Sequence, residues 1–262
     1  MMKKRFDKYW YYRHSVQSPD LEVRFIQKCY RELKKKKPQV FREDFCFTFA
    51  LGCEWIKLDR SYRAVAIDLD HKPLNYGKKN YLKLLSVQQQ KRLKLMHSNV
   101  LSRAIPSADI VGAFNFSYFI FKKREDLKQY FRNCLRSLNT NGILILDCFG
   151  GSQCLEANEE KVDYEDFTYY WDQSGFDPIS HHAVFHIHYK RKREKKRERV
   201  FTYDWRLWTI PEIKELLAEV GFRRTHIYWE GTDKNGEGNG RFSRVKKGEE
   251  CESWIAYIVS EK

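Results

Sequence analysis

Val40-Phe41-Arg42-Glu43-Asp44-Phe45-Cys46-Phe47-Thr48-Phe49-Ala50-Leu51-Gly52 is followed, one short helical stretch later, by Ala64-Val65-Ala66-Ile67-Asp68-Leu69-Asp70. Each segment reads as an apolar strand that ends in acids, and the residues between them suit a turn into a helix. Strand, turn, helix, strand, acid is the order in which a βαβ unit presents a nucleoside site. Phe45, Phe47 and Phe49 stand where such turns usually carry glycine. Glycine permits positive φ and close approach of the backbone to a ligand, whereas a benzyl group either forces the turn open or covers one end of the ligand.

Twenty-five residues separate Glu43 from Asp68, near the roughly 20 at which a Rossmann-type fingerprint places the acid that takes the ribose hydroxyls. At these residues the chain resembles the class I S-adenosylmethionine (SAM)-dependent methyltransferases. Within them it is most similar to a group of small-molecule enzymes whose first motif runs Glu-Asp-Phe-Cys-Gly-Thr. Glu43, Asp44, Phe45, Cys46 and Thr48 match that motif, and Phe47 departs from it. The resemblance implies an α/β, Rossmann-like fold with a mostly parallel seven-stranded sheet, SAM as cofactor and methyl transfer as activity. It also implies a cofactor site made of Gln17, Arg42, Glu43, Asp44, Phe45, Cys46, Thr48, Asp68, Leu69, Asn99, Val100 and Asn115.

Composition sets outer bounds. A chain of 262 residues with 42% hydrophobic content buries one substantial core, so a single domain over 1–262 with an insertion is the simplest architecture. Seven scattered cysteines without a CxxC pair fit a reduced, cytoplasmic protein better than a disulfide framework. The basic start runs into Tyr and Trp rather than a small-residue cleavage site, and no apolar run approaches the roughly 20 residues that cross a bilayer. No membrane association is expected, and the oligomeric state is left open.

Downstream segments follow the same fold. Asp109 to Phe114 suits a buried central strand, and Leu127, Tyr130, Phe131, Cys134, Leu135 and Leu138 mark one face of a helix. Asn141-Gly142 turns the chain into Ile143-Leu144-Ile145-Leu146-Asp147, a second buried strand. Thr209-Ile210-Pro211-Glu212 is a capping box, and Gly221 ends the helix it opens. His226 to Glu230 and Ser253 to Ser260 finish the chain as two strands, which the resemblance implies pair antiparallel at the sheet edge. At the N-terminus, Ser18-Pro19 starts a helix, and residues 1–37 form a helical lid that closes over the cofactor, as the resemblance implies.

Between the fifth strand and the last helix, residues 150–208 form an antiparallel insertion expected to bind substrate. Period two puts Ala183, Phe185, Ile187, Tyr189 and Phe201, Tyr203, Trp205, Leu207 on apolar faces. His182, His186, His188, Asp204 and Arg206 fall on the opposite ones. The polar face, set above the cofactor, would suit a small polar or anionic substrate with Arg206 as its clamp. A merely solvated face is the alternative, since one-sided sheets alternate this way. Three histidines hint at a metal, but without nearby Cys or a helical HExxH arrangement no metal is expected.

Asn115-Phe116-Ser117-Tyr118 sits at the carboxyl end of the fourth strand and loosely resembles the Asn-Pro-Pro-Tyr motif of amino-group methyltransferases. That resemblance gives Asn115 and Tyr118 positions facing the transferred methyl. Methyl transfer needs alignment, exclusion of water and removal of a proton where the acceptor requires it. The candidate bases are His186, His188 and Tyr203, with His188 preferred. The expected function is N- or O-methylation of a small polar molecule, carboxylate- or amine-bearing.

Charge supplies the competing reading. The formal net charge is +14, and Lys190 to Arg199 holds eight basic and two acidic residues. Such a run with aromatics nearby can bind RNA; its bland counterpart is a solvated hairpin tip. A methyltransferase-like fold kept as a SAM-binding scaffold is a further alternative, because of Phe47.

Overall fold

The computed structural model describes residues 5–234 and 236–262. Two helices, α1 (Lys8–Ser15) and α2 (Pro19–Lys34), precede β1 (Val40–Asp44), α3 (Ala50–Lys57), β2 (Arg63–Asp68), α4 (His71–Asn80), the short α5 (Val87–Gln90) and β3 (Leu93–His97). Then come β4 (Ala108–Ala113), α6 (Arg124–Ser137), β5 (Leu138–Gly150) and four strands, β6 (Asn158–Asp163), β7 (Phe167–Asp177), β8 (His182–Arg191) and β9 (Arg197–Arg206). The helix α7 (Ile210–Val220) and strands β10 (Arg224–Thr232), β11 (Gly238–Val245) and β12 (Trp254–Glu261) finish the chain.

The main sheet runs β11-β10-β12-β5-β4-β1-β2-β3. Strands β1 to β5 are parallel, while β12 and β10 join antiparallel at the β5 side. The sheet therefore has eight strands where seven are expected: β11 folds back onto β10 and adds an outer edge. Its Gly-Asn-Gly-Arg start offers no apolar alternation to read as a strand, since an edge strand needs only one partner.

Alternate residues of the central strands feed two cores, which explains why residues 110–113 of β4 and 143–146 of β5 carry no polar side chain. Val111, Leu144 and Leu146 pack with Leu127, Tyr130 and Phe131 of α6 and with Leu216 and Leu217 of α7. Ile110, Ile143 and Ile145 pack on the other face with Val23 and Ile26 of α2 and Trp55 and Ile56 of α3. Burying each such side chain contributes about 1.5–3 kcal/mol. Pro19 opens α2 as expected, but Ser18 makes no side-chain cap; its backbone N–H donates to Glu22 Oε1 at 2.8 Å. Thr209 and Glu212 close the capping box of α7, and Gly221 ends it at φ 109°.

The insertion is a separate antiparallel sheet in the order β6-β7-β8-β9. The sequence shows three of its strands; β6, Asn-Glu-Glu-Lys-Val-Asp, is a charged and largely exposed edge. Among the described residues no helix is long and apolar enough to cross a membrane.

Candidate active site

The turn after β1 keeps the backbone path that glycine would favour. Phe45, Phe47 and Phe49 all adopt left-handed conformations, at φ 58°, 51° and 49°. For a residue with a side chain this costs about 1–2 kcal/mol each, so surrounding contacts must hold the turn. Phe45 packs against Phe121 and Tyr130, and Phe49 is fully buried. The Phe47 ring meets Tyr9 and Tyr12 of α1 and Phe201 of β9, at the junction of α1, the turn and the insertion. On the far side, a Cβ on Gly77 of α4 would collide with the Thr48 carbonyl and the Phe49 ring. Glycine is therefore needed in the helix that presses on the turn.

Asp68, at the end of β2, accepts from the Phe47 N–H at 2.7 Å through Oδ2 and from the Asp70 N–H at 2.8 Å through Oδ1. A carboxylate offers about four acceptor sites, so capacity remains to receive a ribose hydroxyl. Burial raises the Asp68 carboxyl above its ordinary range. Leu69 is exposed beside it, Val100 is buried, and the Asn99 side chain accepts from the Leu101 N–H at 2.8 Å. Glu43 accepts from the Gly52 N–H at 3.2 Å in the first turn of α3, and burial with Glu22 nearby pushes its carboxyl well up. Cys46 is buried, with its N–H on the Ile67 carbonyl. Among the described residues of this region, the buried oxygens Gln17 Oε1 and Thr48 Oγ1 have no hydrogen-bond partner.

Arg42 and Asp44 stand apart from that surface. Both are fully buried and form a bidentate pair, Nε to Oδ1 at 2.8 Å and a terminal nitrogen to Oδ2 at 3.1 Å. Tyr130 donates to Asp44 at 3.0 Å and Arg42 donates to Ser137 Oγ at 2.7 Å. The pair ties β1 to α6 and points into the core, so its environment is structural.

A cavity of about 360 Å³ opens at the carboxyl ends of β4 and β5, under the insertion. Open α/β sheets bind ligands at this end of their strands. Asn115 and Phe116, left-handed at φ 54° and 56°, line it. Their N–H groups donate to the two carboxylate oxygens of Asp147, at 2.6 and 2.9 Å. Asp147 is buried, and desolvation pushes its carboxyl up to about 7. Tyr118 is fully buried and absent from the lining; its hydroxyl donates to the Asp147 carbonyl at 2.8 Å. Tyr203 and Tyr12 do line the cavity, and burial raises both phenols well above the usual range. A phenol so raised donates a hydrogen bond at neutral pH and is a poor base.

The strand register decides which face of the insertion meets the cavity. Trp171 pairs with Ile187, Phe185 with Tyr203 and Ala183 with Trp205, so these residues share a face, and Trp171, Ile187, Tyr203 and Trp205 line the cavity. The histidines lie on the other face, contrary to their expected place above the cofactor, because the aromatic side has more apolar area to bury. His188 Nδ1 accepts from the Arg199 N–H at 2.7 Å, which leaves the ring proton on Nε2, directed at Asp172 Oδ2 at 3.1 Å. His186 bonds Thr202 Oγ1 at 2.9 Å, and burial lowers its pKa. Glu159, Asp172 and His188 bring possible metal-ligand atoms within 4.8 Å of one another. The protonated Nε2 and the Lys196 ammonium on Glu159 make this an ion-pair network instead.

Arg206 also lies outside the cavity. It pairs with Glu212 at 2.9 Å, donates to the Lys122 carbonyl at 3.3 Å and stacks 3.8 Å over Trp208. The basic run forms the β8–β9 tip, where Arg191 and Arg197 pair with Glu194. Sequence reasoning passed over Asp147, Glu160, Trp171 and Trp205 as site residues. Asp147 had a usable signal: it closes an apolar strand, as Asp68 does. The others depend on which face of the insertion turns inward.

No protein-family model matches this sequence, and no curated protein matches it by sequence. Solved structures do match in fold. A SAM-dependent methyltransferase from Clostridium acetobutylicum ATCC 824 is 16% identical, with 97% of this chain and 96% of that chain covered, at a TM-score of 0.70. SAM-bound CalS10, an amino pentose methyltransferase from Micromonospora echinaspora, is 12% identical over 100% of this chain and 99% of that one, at 0.67. The sugar N-methyltransferase KedS8 from Streptoalloteichus is 14% identical over 100% and 97%, at 0.64. The chain has the fold of the class I SAM-dependent methyltransferases.

Proposed function

We propose that this protein is a SAM-dependent methyltransferase acting on a small polar molecule. The observation that carries the reading is the cavity at the ends of β4 and β5, which adjoins the β1 turn through Tyr12 and is closed by the insertion. Residues of the neighbouring site suit the cofactor. Asp68 keeps free lone pairs for ribose hydroxyls, Leu69 offers an exposed apolar surface for a purine, and Gln17 and Thr48 hold buried oxygens open to a donor. When bound, SAM supplies an activated methyl group. The chain's own part is to hold the acceptor in the cavity, exclude water with α1 and the insertion, and take a proton where needed. Residues 1–37, of which 1–4 lie outside the described residues, serve as lid and 150–208 as substrate-binding insertion; that structural neighbours include an amino pentose methyltransferase and a sugar N-methyltransferase supports a small polar acceptor.

Calorimetric titration with SAM tests the reading, followed by transfer of labelled methyl into a cell extract separated by size. Label in the small-molecule fraction supports it; label in RNA transfers the assignment to the basic tip. A second reading, a SAM-type fold that no longer binds the cofactor well, draws on the Phe47 ring packed between α1 and β9. Absence of binding at millimolar SAM would favour that reading.

A further inference from the structure

The cavity opposes the charge of the molecule around it. The chain has a formal net charge of +14, yet Glu22, Asp147, Glu160 and Glu230 line the cavity, and among the described residues no Lys, Arg or His does. Asp147 is only 7% exposed. Its two oxygens receive neutral backbone donors, Asn115 and Phe116, and no cation. A buried carboxylate without a counter-charge is unfavourable unless a ligand or a proton supplies it.

The second observation is the aromatic part of the same lining. Tyr203 lies 4.5 Å from Trp205, and Trp171 lies 6.0 Å from Tyr203 and 6.2 Å from Trp205, centroid to centroid. All three rings line the cavity, and the electron-rich face of such a ring attracts an ammonium group by about 0.5–2 kcal/mol. An anion would meet repulsion from the four acids.

We propose that the cavity binds an organic ammonium, with Trp171, Tyr203 and Trp205 as its cation-attracting wall and Asp147 as the group that takes its proton. Methylation of the resulting amine rests on the methyltransferase reading, to which the cation site adds the substrate class. One proton passes from the ammonium nitrogen to an Asp147 carboxylate oxygen, giving a neutral amine with a free lone pair and a neutral carboxyl. A nitrogen that keeps its proton has no lone pair with which to accept a methyl group. An acid already held near neutrality by burial and by Glu22 is suited to receive that proton. The other groups that bear on Asp147, Tyr12 from α1, Tyr257 from β12, Tyr118 and Cys148, are all raised above their ordinary ranges and do not compete as bases.

The test is a calorimetric titration of the full chain, without SAM, with choline and with its uncharged isostere 3,3-dimethylbutan-1-ol. Choline is expected to bind at least about tenfold more tightly. Its affinity should fall as pH drops through the range in which Asp147 gains a proton, and Asp147→Asn should remove that inflection. Glu160→Gln, at an exposed rim position, tests the same preference without touching the Asn115–Phe116 turn, and should narrow it. Equal affinity for the two probes, or no binding of either, overturns the proposal. A separate SAM titration keeps the two readings distinct. Choline selectivity without SAM binding leaves the cation site standing and removes the methyltransferase reading; SAM binding without choline selectivity does the reverse.

Discussion

The Phe47 amide donates to Asp68 Oδ2 at 2.7 Å, so the turn after β1 is tied by its backbone to the acid that ends β2. The bond needs no glycine. What Phe47 changes is the side chain above it, a ring held by Tyr9, Tyr12 and Phe201. Phe47→Gly keeps the donor, removes about 1–2 kcal/mol of left-handed strain and clears the ring. SAM affinity measured by calorimetry is expected to rise about tenfold. Unchanged affinity would show that the ring lies clear of the cofactor.

Arg42 and Asp44 are expected to act on stability. Arg42→Met leaves a fully buried Asp44 carboxylate with the Tyr130 hydroxyl and the weaker Cys134 thiol as donors and no cation, and should lower urea-unfolding stability by about 3–5 kcal/mol. The double variant Arg42→Met/Asp44→Leu should recover much of that loss. If the single variant is as stable as the parent, the pair does not hold β1 to α6.

Asp147 should give stability a pH dependence of a definite sign. Its folded pKa, about 7, lies above the ordinary 3.8, so the native state holds the proton more tightly than the unfolded chain. Its contribution is fully present below about pH 4 and is lost as pH rises through about 7, by on the order of 2–4 kcal/mol at most. Glu22 and Glu43, also raised, act in the same direction. Melting curves from about pH 4 to 8 should show the parent losing stability relative to Asp147→Asn across that window. A constant difference would mean that Asp147 titrates normally.

Gly77→Ala sets helix propensity against packing. In an exposed helix the change stabilises by about 1 kcal/mol. Here the new methyl meets the Thr48 carbonyl and the Phe49 ring, and a net loss of about 1–3 kcal/mol is expected in thermal unfolding. A rise in melting temperature would show that α4 can move off the turn.

The elements legible in the sequence share a local cause. Strands β1, β2, β4 and β5, the core face of α6 and the α7 cap follow from hydrophobic period and capping chemistry, which act within a few residues. The acid at Asp68 was legible for the same reason, being set by its distance from Glu43. Strands β6 and β11 were not, because a charged or glycine-rich edge strand takes its structure from the partner it pairs with.

Period two correctly separated the aromatic from the histidine face of the insertion, but it carries no information about which face turns inward. That choice belongs to tertiary packing: the Trp171–Tyr203–Trp205 face buries against the ends of β4 and β5, and His188 is left bonded to Asp172 outside. The same holds for three charged residues carried by the parallel strands. Arg42 and Asp44 point into the core and neutralise each other, while Asp147, two strands away, faces the cavity. Sequence by itself determined the βαβ frame and the positions of its acids, since strand and helix signals are local. Only the tertiary structure decided which charges are paired, which are buried alone and which face a ligand, because burial and counter-charge depend on residues far apart in the chain.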